Sequence, residues 1–158
     1  MKNKVTVTLI AHLKRIWVSI GFAGLLAIIL FGNLIYMNLR SADPILPGWE
    51  EYNAQRFSAL IERGDPLLVE VYASWCPTCL AQHKAFENLI EEGRQPNVRA
   101  IRVDFDRDVD FRTRNSLNYT GILIFYRDGK EVTRVAGLTS ADKIEAFLLS
   151  QGIGPIKS

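Results

Sequence analysis

"PLLVEVYASWCPTCLAQ", Pro66 to Gln82, is the stretch on which the fold turns. Its first half is a nearly continuous apolar run, the pattern of a strand buried on both faces. A single acid, Glu70, interrupts it. The second half carries the chain's two cysteines, Cys76 and Cys79, with two residues between them and Trp75 just before. Pro77 suits the first position of a helix, where a missing N–H costs little. The spacing predicts a helix from the cysteines to about Gly93, with Leu80, Phe86, Leu89 and Ile90 turned to a core.

The flanks extend this unit on both sides. Upstream, "RSADPILPG" is a linker: Pro44 and Pro47 resist helix and Gly48 loosens the chain. "WEEYNAQRFSALIERG", beginning at Trp49, has helical spacing at Phe57, Leu60 and Ile61, with Gly64 as its stop. Downstream, "VRAIRVDF" (Val98 to Phe105) predicts a second strand, and a short helix is expected over Asp110 to Leu117. "ILIFYRDGKEVTRVAG" reads as a hairpin turning at Asp128-Gly129. "TSADKIEAFLLSQG" closes the unit as a helix capped by Thr139 or Ser140 and ended by Gly152. The expected order is α-β-α-β-α-β-β-α, an α/β domain with a central mixed sheet flanked by helices on both faces. There is no internal repeat or low-complexity tract.

At 158 residues the chain suits one domain plus extra segments. Its formal net charge is +2, with acids and bases interleaved and no basic stripe, so nucleic acid is not an expected partner. Ile16 to Met37 contains no charged residue. Its roughly 22 residues make a helix of about 33 Å, against about 30 Å for a hydrocarbon core. Trp17 and Tyr36 stand near its ends, as interfacial rings do. The run exceeds a signal-peptide core, no small-x-small cleavage site follows it, and a soluble helix would show a polar face; an uncleaved anchor is therefore expected. Lys2, Lys4, Lys14 and Arg15 precede the span. Arg40 follows it, soon met by Asp43, Glu50 and Glu51. The positive-inside rule then gives a cytoplasmic segment over 1–15, a transmembrane helix over 16–37, a linker over 38–48, and an exported domain over 49–158, periplasmic in a bacterium. Cysteines placed there meet an oxidising environment. Ser19, Ala23 and Ala27 have small-xxx-small spacing, a weak basis for a homodimer.

Over Trp49 to Gly152 the chain resembles a thioredoxin-fold thiol–disulfide oxidoreductase. The resemblance is carried by "LLVEVYASWCPTC", the helix after it, "VRAIRVDFD", "LIFYRDGKEV" with Gly137, and the last helix. W-C-x-x-C at a strand-to-helix junction is a far more specific signal than a bare C-x-x-C. The resemblance implies a thioredoxin-like fold behind one N-terminal transmembrane helix. Two intervening residues let one helical turn bring the sulfurs within bonding distance. Cys76, at the helix N-terminus, meets unpaired N–H groups and the positive dipole end, so it is the expected nucleophile; Cys79, one turn inside, is the expected resolving thiol. The Thr78 amide and hydroxyl are placed to hydrogen-bond the Cys76 sulfur, and Trp75 to shield the pair.

Glu70 matches the family's buried acid beneath the second cysteine. Burial raises a carboxyl pKa, so Glu70 is expected to exchange a proton with Cys79. His83 is expected on the helix surface. No metal or other cofactor is expected: cysteine-rich zinc sites take four ligands, and His83 is the single nearby supplement. The expected partners are protein thiols and disulfides together with a redox donor protein, the chain acting as reductant. Pro77-Thr78 matches neither the Gly-Pro usual in thioredoxins nor the Pro-His of strongly oxidising relatives. The rival reading makes the cysteine pair a ligand for copper, zinc or an iron–sulfur cluster, or makes the domain a tethered assembly factor. Relatives also place a cis-proline before the hairpin strand. Here Gly121 stands at that position, preceded by Thr120; a trans bond, a freer loop, retained substrate contact at Thr120 and easier metal capture are expected.

Overall fold

The computed structural model describes residues 17–35 and 45–156, which fall in two units divided after Ala42. In the first, α1 (Trp17–Ile35) is a 19-residue helix, long and apolar enough to cross a membrane. Ile16, Tyr36, Met37, the basic flank and most of the linker lie outside the described residues.

The second unit runs β1 (Trp49–Glu51), α2 (Ala54–Arg63), β2 (Leu67–Tyr72), α3 (Pro77–Glu91), β3 (Arg99–Asp104), α4 (Val109–Arg114), β4 (Ile122–Arg127), β5 (Lys130–Ala136) and α5 (Ala141–Ser150). The strands form one sheet in the order β1-β3-β2-β4-β5. β1 and β2 run parallel to β3, while β4 is antiparallel to both β2 and β5. The mixed sheet flanked by helices is the expected one, with one correction. The helix expected from Trp49 starts at Ala54, where Asn53 caps it by accepting from the Arg56 amide at 2.9 Å. Trp49–Glu51 is instead an edge strand. Long-range pairs hold it: Arg99 meets Glu50 at 2.9 Å, Arg102 meets Glu51 at 2.5 Å, and the Trp49 ring packs edge-on against Phe86 at 4.8 Å.

β2 lies at the centre and all six of its residues are buried. Its side chains alternate between two cores, as a strand's period of two requires. Leu68 joins Phe86, Leu89, Leu123, Phe125, Ile144 and Leu148 beneath α3 and α5. Leu67, Val69 and Val71 join Leu60, Ile101, Phe111 and Ile124 beneath α2 and α4. Glu70 therefore points to the α3 side, between Leu68 and Tyr72. The hairpin turns at Asp128 and Gly129, both at positive φ (53° and 72°), the type I′ geometry whose twist suits antiparallel strands. A Cβ at position 129 would lie 2.9 Å from the Ile61 carbonyl oxygen, so glycine is required there.

Candidate active site

The site is the junction of β2 and α3. β2 ends at Tyr72, and the chain turns through Ala73–Trp75 and enters α3 at Pro77. Cys76 is the N-cap, with extended backbone (φ −90°, ψ 113°). Its sulfur takes the role that a serine or aspartate oxygen usually has and accepts the Cys79 amide at 3.2 Å. Cys76 thus satisfies one of the orphan N–H groups of its own helix. Cys79 is fully buried, with its Sγ 3.9 Å from the Val71 carbonyl oxygen.

The two thiols are shifted in opposite directions. Burial alone would raise the Cys76 pKa, but hydrogen bonds from the Cys79 thiol, the Thr120 hydroxyl and the amides of Cys79 and Thr78 outweigh it and hold Cys76 below the ordinary cysteine value. Burial pushes Cys79 up to about 12, and the Cys76 sulfur adds to the shift. Of the two Thr78 donors expected at Cys76, the amide is the one that lowers its pKa. Thr120 lies beside both sulfurs. Trp75 stays half exposed beside the pair; its indole N–H donates to Asp106 at 2.6 Å and its ring meets Phe105 edge-on at 6.3 Å. Asp106 and Phe105, which orient this ring, carry no local sequence signal for that role.

Gly121 closes the site from β4. No cis peptide bond occurs among the described residues, so Thr120–Gly121 is trans. The loop is not freer, as expected, but pinned. The Gly121 N–H donates to the Val71 carbonyl at 2.9 Å, and its own carbonyl accepts from Gly137 at 3.0 Å. With φ at +70°, Gly121 brings bare backbone against the cysteines: a Cβ there would sit 3.0 Å from Thr78 Cγ2 and 3.8 Å from Cys79 Sγ.

Glu70 is buried without exposure beneath α3. Burial raises its carboxyl pKa; the neighbouring His83 ring, and then the Arg102 charge, draw it partly back. His83 is a second correction. It is 7% exposed, with Nδ1 3.9 Å from Glu70 Oε2, because residue 83 is one turn beyond Cys79 and shares its inward face. Among the described residues no cluster of three His, Cys, Asp or Glu side chains is arranged for a metal ion.

The raised Glu70 pKa has a stability consequence. Between the unfolded carboxyl pKa and the higher folded one, the folded state keeps a proton that the unfolded state has lost, so stability falls as pH rises through that window. Glu70→Gln removes the fall. It is expected to gain stability on the wild type as pH rises above the ordinary carboxyl range, read from denaturant unfolding across a pH series.

The fold and the paired thiols at a strand-to-helix junction are those of the thioredoxin class. The chain belongs to the thioredoxin family, whose model matches residues 49–150. It is 44% identical over 46 residues to the thiol:disulfide interchange protein DsbE of Haemophilus influenzae, a match covering 29% of this chain and 23% of that one. The chain thus spans about a quarter of that relative's length. It is 30% identical over 90 residues to thioredoxin-2 of Saccharomyces cerevisiae, covering 56% of this chain and 85% of that protein. The crystal structure of Trxlp from Edwardsiella tarda superposes with a TM-score of 0.57 at 34% identity, covering 63% of this chain and 97% of that one.

Proposed function

We propose that this protein is anchored in the inner membrane by α1, faces the periplasm with its thioredoxin domain, and reduces specific protein disulfides with electrons from a partner redox protein. The observation that carries the reading is the placement of the two thiols: the Cys76 sulfur caps α3 and accepts the Cys79 amide at 3.2 Å, while Cys79 is buried one turn inside. A Cys76 thiolate attacks one sulfur of a client disulfide. A new S–S bond forms, the client bond breaks, and the other client sulfur leaves as a thiolate that takes a proton from water. Cys79 then gives its proton to Glu70 and attacks Cys76 Sγ. The Cys76–Cys79 disulfide forms as the client's second thiolate departs. The client has gained two electrons and the cysteine pair has lost them. A thiol held near pKa 12 needs a base for this second attack, and Glu70, buried beneath the helix that carries Cys79, is the residue we give that role.

Thr120, Gly121, Pro77, Thr78 and Trp75 form the client-facing rim. The apolar α1 supports the anchor, and the likeness to a thiol:disulfide interchange protein supports exchange with protein disulfides. The test is equilibration of the detergent-solubilised full chain with glutathione. A reductant has a potential nearer to about −270 mV than to about −120 mV; a value at the upper end reassigns the protein as an oxidant. Glu70→Gln is expected to slow the resolving step by about 10²-fold and to leave the first attack unchanged. Equal rates in stopped-flow across neutral pH remove Glu70 from the mechanism.

A further inference from the structure

The steps above leave a gap: Glu70 has no solvent exposure, yet it has to return its proton to water in every turnover. The residue beside it fills the gap. On α3, Cys79 and His83 are one turn apart and share the face that packs on the sheet. On β2, Glu70 lies on the face beneath that helix. Its register neighbours are Arg102 on β3 and Leu123 on β4. Arg102 is engaged by Glu51 at 2.5 Å and lies over the Tyr72 ring at 5.1 Å. Leu123 offers no polar group. The charged or titratable groups facing Glu70 are thus Arg102 from the sheet and His83 from the helix, and the helix also carries Cys79.

His83 Nδ1 stands 3.9 Å from Glu70 Oε2, about 1 Å beyond an N–H···O hydrogen bond and within reach of a small side-chain rotation. Neither carboxyl oxygen of Glu70 and neither ring nitrogen of His83 has a hydrogen-bond partner among the described residues. Two unpartnered polar side chains side by side in a core satisfy each other when one proton lies between them. The Tyr72 ring, 5.8 Å from the imidazole, packs beside it. His83 keeps 7% of its surface exposed, whereas Glu70 has none.

We propose that Glu70 and His83 form a buried pair holding one proton, and that the proton of Cys79 leaves and returns through this pair, with His83 as its solvent-side member. The proposal rests on the assignment of Glu70 to the resolving step. When Cys79 attacks, its proton goes to the Glu70 carboxylate. It then moves to an imidazole nitrogen, and the imidazolium releases it to water. The reverse sequence delivers a proton when Cys79 is regenerated. His83 is a positioning residue here: it acts through Glu70. Its ring also counters the rise that burial imposes on Glu70, so its removal moves the working pH of Glu70 upward.

The experiment uses the reduced full chain in detergent and an aromatic disulfide reagent that frees one coloured thiolate when Cys76 attacks and a second when Cys79 resolves. His83→Gln is expected to leave the first release unchanged, to slow the second about tenfold near neutral pH, and to shift the rising limb of its pH profile upward. The double variant with Glu70→Gln is expected to be no slower than Glu70→Gln alone, because the two act as one unit. A second release with wild-type rate and pH profile in His83→Gln overturns the proposal, as does a double variant slowed by the product of the two single effects. If Glu70→Gln itself leaves the second release untouched, the mechanistic reading of Glu70 falls, and the pair is judged by NMR instead. The Glu70 carboxyl carbon is expected to titrate at higher pH in His83→Gln than in the wild type. Identical Glu70 titrations in the two proteins overturn the pair.

Discussion

The full chain carrying Cys76→Ser is expected to lose disulfide exchange by about 10³-fold or more, whereas Cys79→Ser is expected to accumulate a stable mixed disulfide with its client. The asymmetry follows from the helix start. Cys76 accepts the Cys79 amide at 3.2 Å and is held below the ordinary cysteine value, so it ionises more readily than a free thiol. A serine hydroxyl at the same N-cap accepts the same amide but does not ionise, so structure is retained while chemistry is lost. At a pKa of about 12, on the order of one Cys79 in 10⁵ is ionised at pH 7, so it cannot start the reaction. It can finish it, and without it the Cys76–client bond has no internal attacker. Client capture by Cys79→Ser, released by dithiothreitol and absent from the double serine variant, checks both halves. Alkylation of the reduced protein at mildly acidic pH gives an independent readout: modification of Cys79 ahead of Cys76 reverses the roles.

The parts of the fold that were legible in the sequence are those whose signal is local. The apolar run of β2, Pro77 at the first position of α3, Asp128-Gly129 and the spacing of α5 each announce their element within a few residues. β1 was not legible. "WEE" is too short to show a period of two, and two of its three residues are charged. It is a strand because its backbone pairs in parallel with Ala100 to Arg102 of β3, about fifty residues away, with Arg99 and Arg102 meeting Glu50 and Glu51 across that seam. His83 was misread for the same kind of reason. Its helical phase with Cys79 was visible, but its burial depends on which strand lies beneath, and only the assembled sheet places Glu70 there. The cysteine pair and Glu70 were legible because a motif at a strand-to-helix junction fixes its own geometry. Thr120 was named from alignment to relatives, and its place beside both sulfurs comes from the β4 register. For Gly121 the missing proline was plain. The backbone hydrogen bonds that occupy its place were not, since nothing in "NYTGILIF" encodes a contact with Val71.

Those hydrogen bonds change what a proline at position 121 does. From sequence alone, Gly121→Pro restores the ring of its relatives and raises turnover. In the structure it removes the N–H that donates to Val71 at 2.9 Å, and it demands a φ near −65° where the backbone has +70°. The Val71 carbonyl belongs to the central strand and also lies 3.9 Å from Cys79 Sγ, so the lost partner is felt at Cys79. Gly121→Pro is expected to destabilise the domain by about 3 kcal/mol or more and to lower turnover of insulin disulfides. Gly121→Ala separates the causes. It keeps the N–H but places a Cβ 3.0 Å from Thr78 Cγ2 at a positive φ, a cost of about 1–2 kcal/mol. Thr78→Ser removes that methyl, so the double variant of Gly121→Ala with Thr78→Ser is expected to recover part of the loss, measured by denaturant unfolding. Only the left-handed strain then remains. Wild-type stability in Gly121→Pro would show that the loop has a second conformation open to it and that the Val71 bond does not hold the site together. Full loss in Gly121→Ala with no recovery from Thr78→Ser would place the whole cost in the backbone and leave Thr78 without a steric part in it.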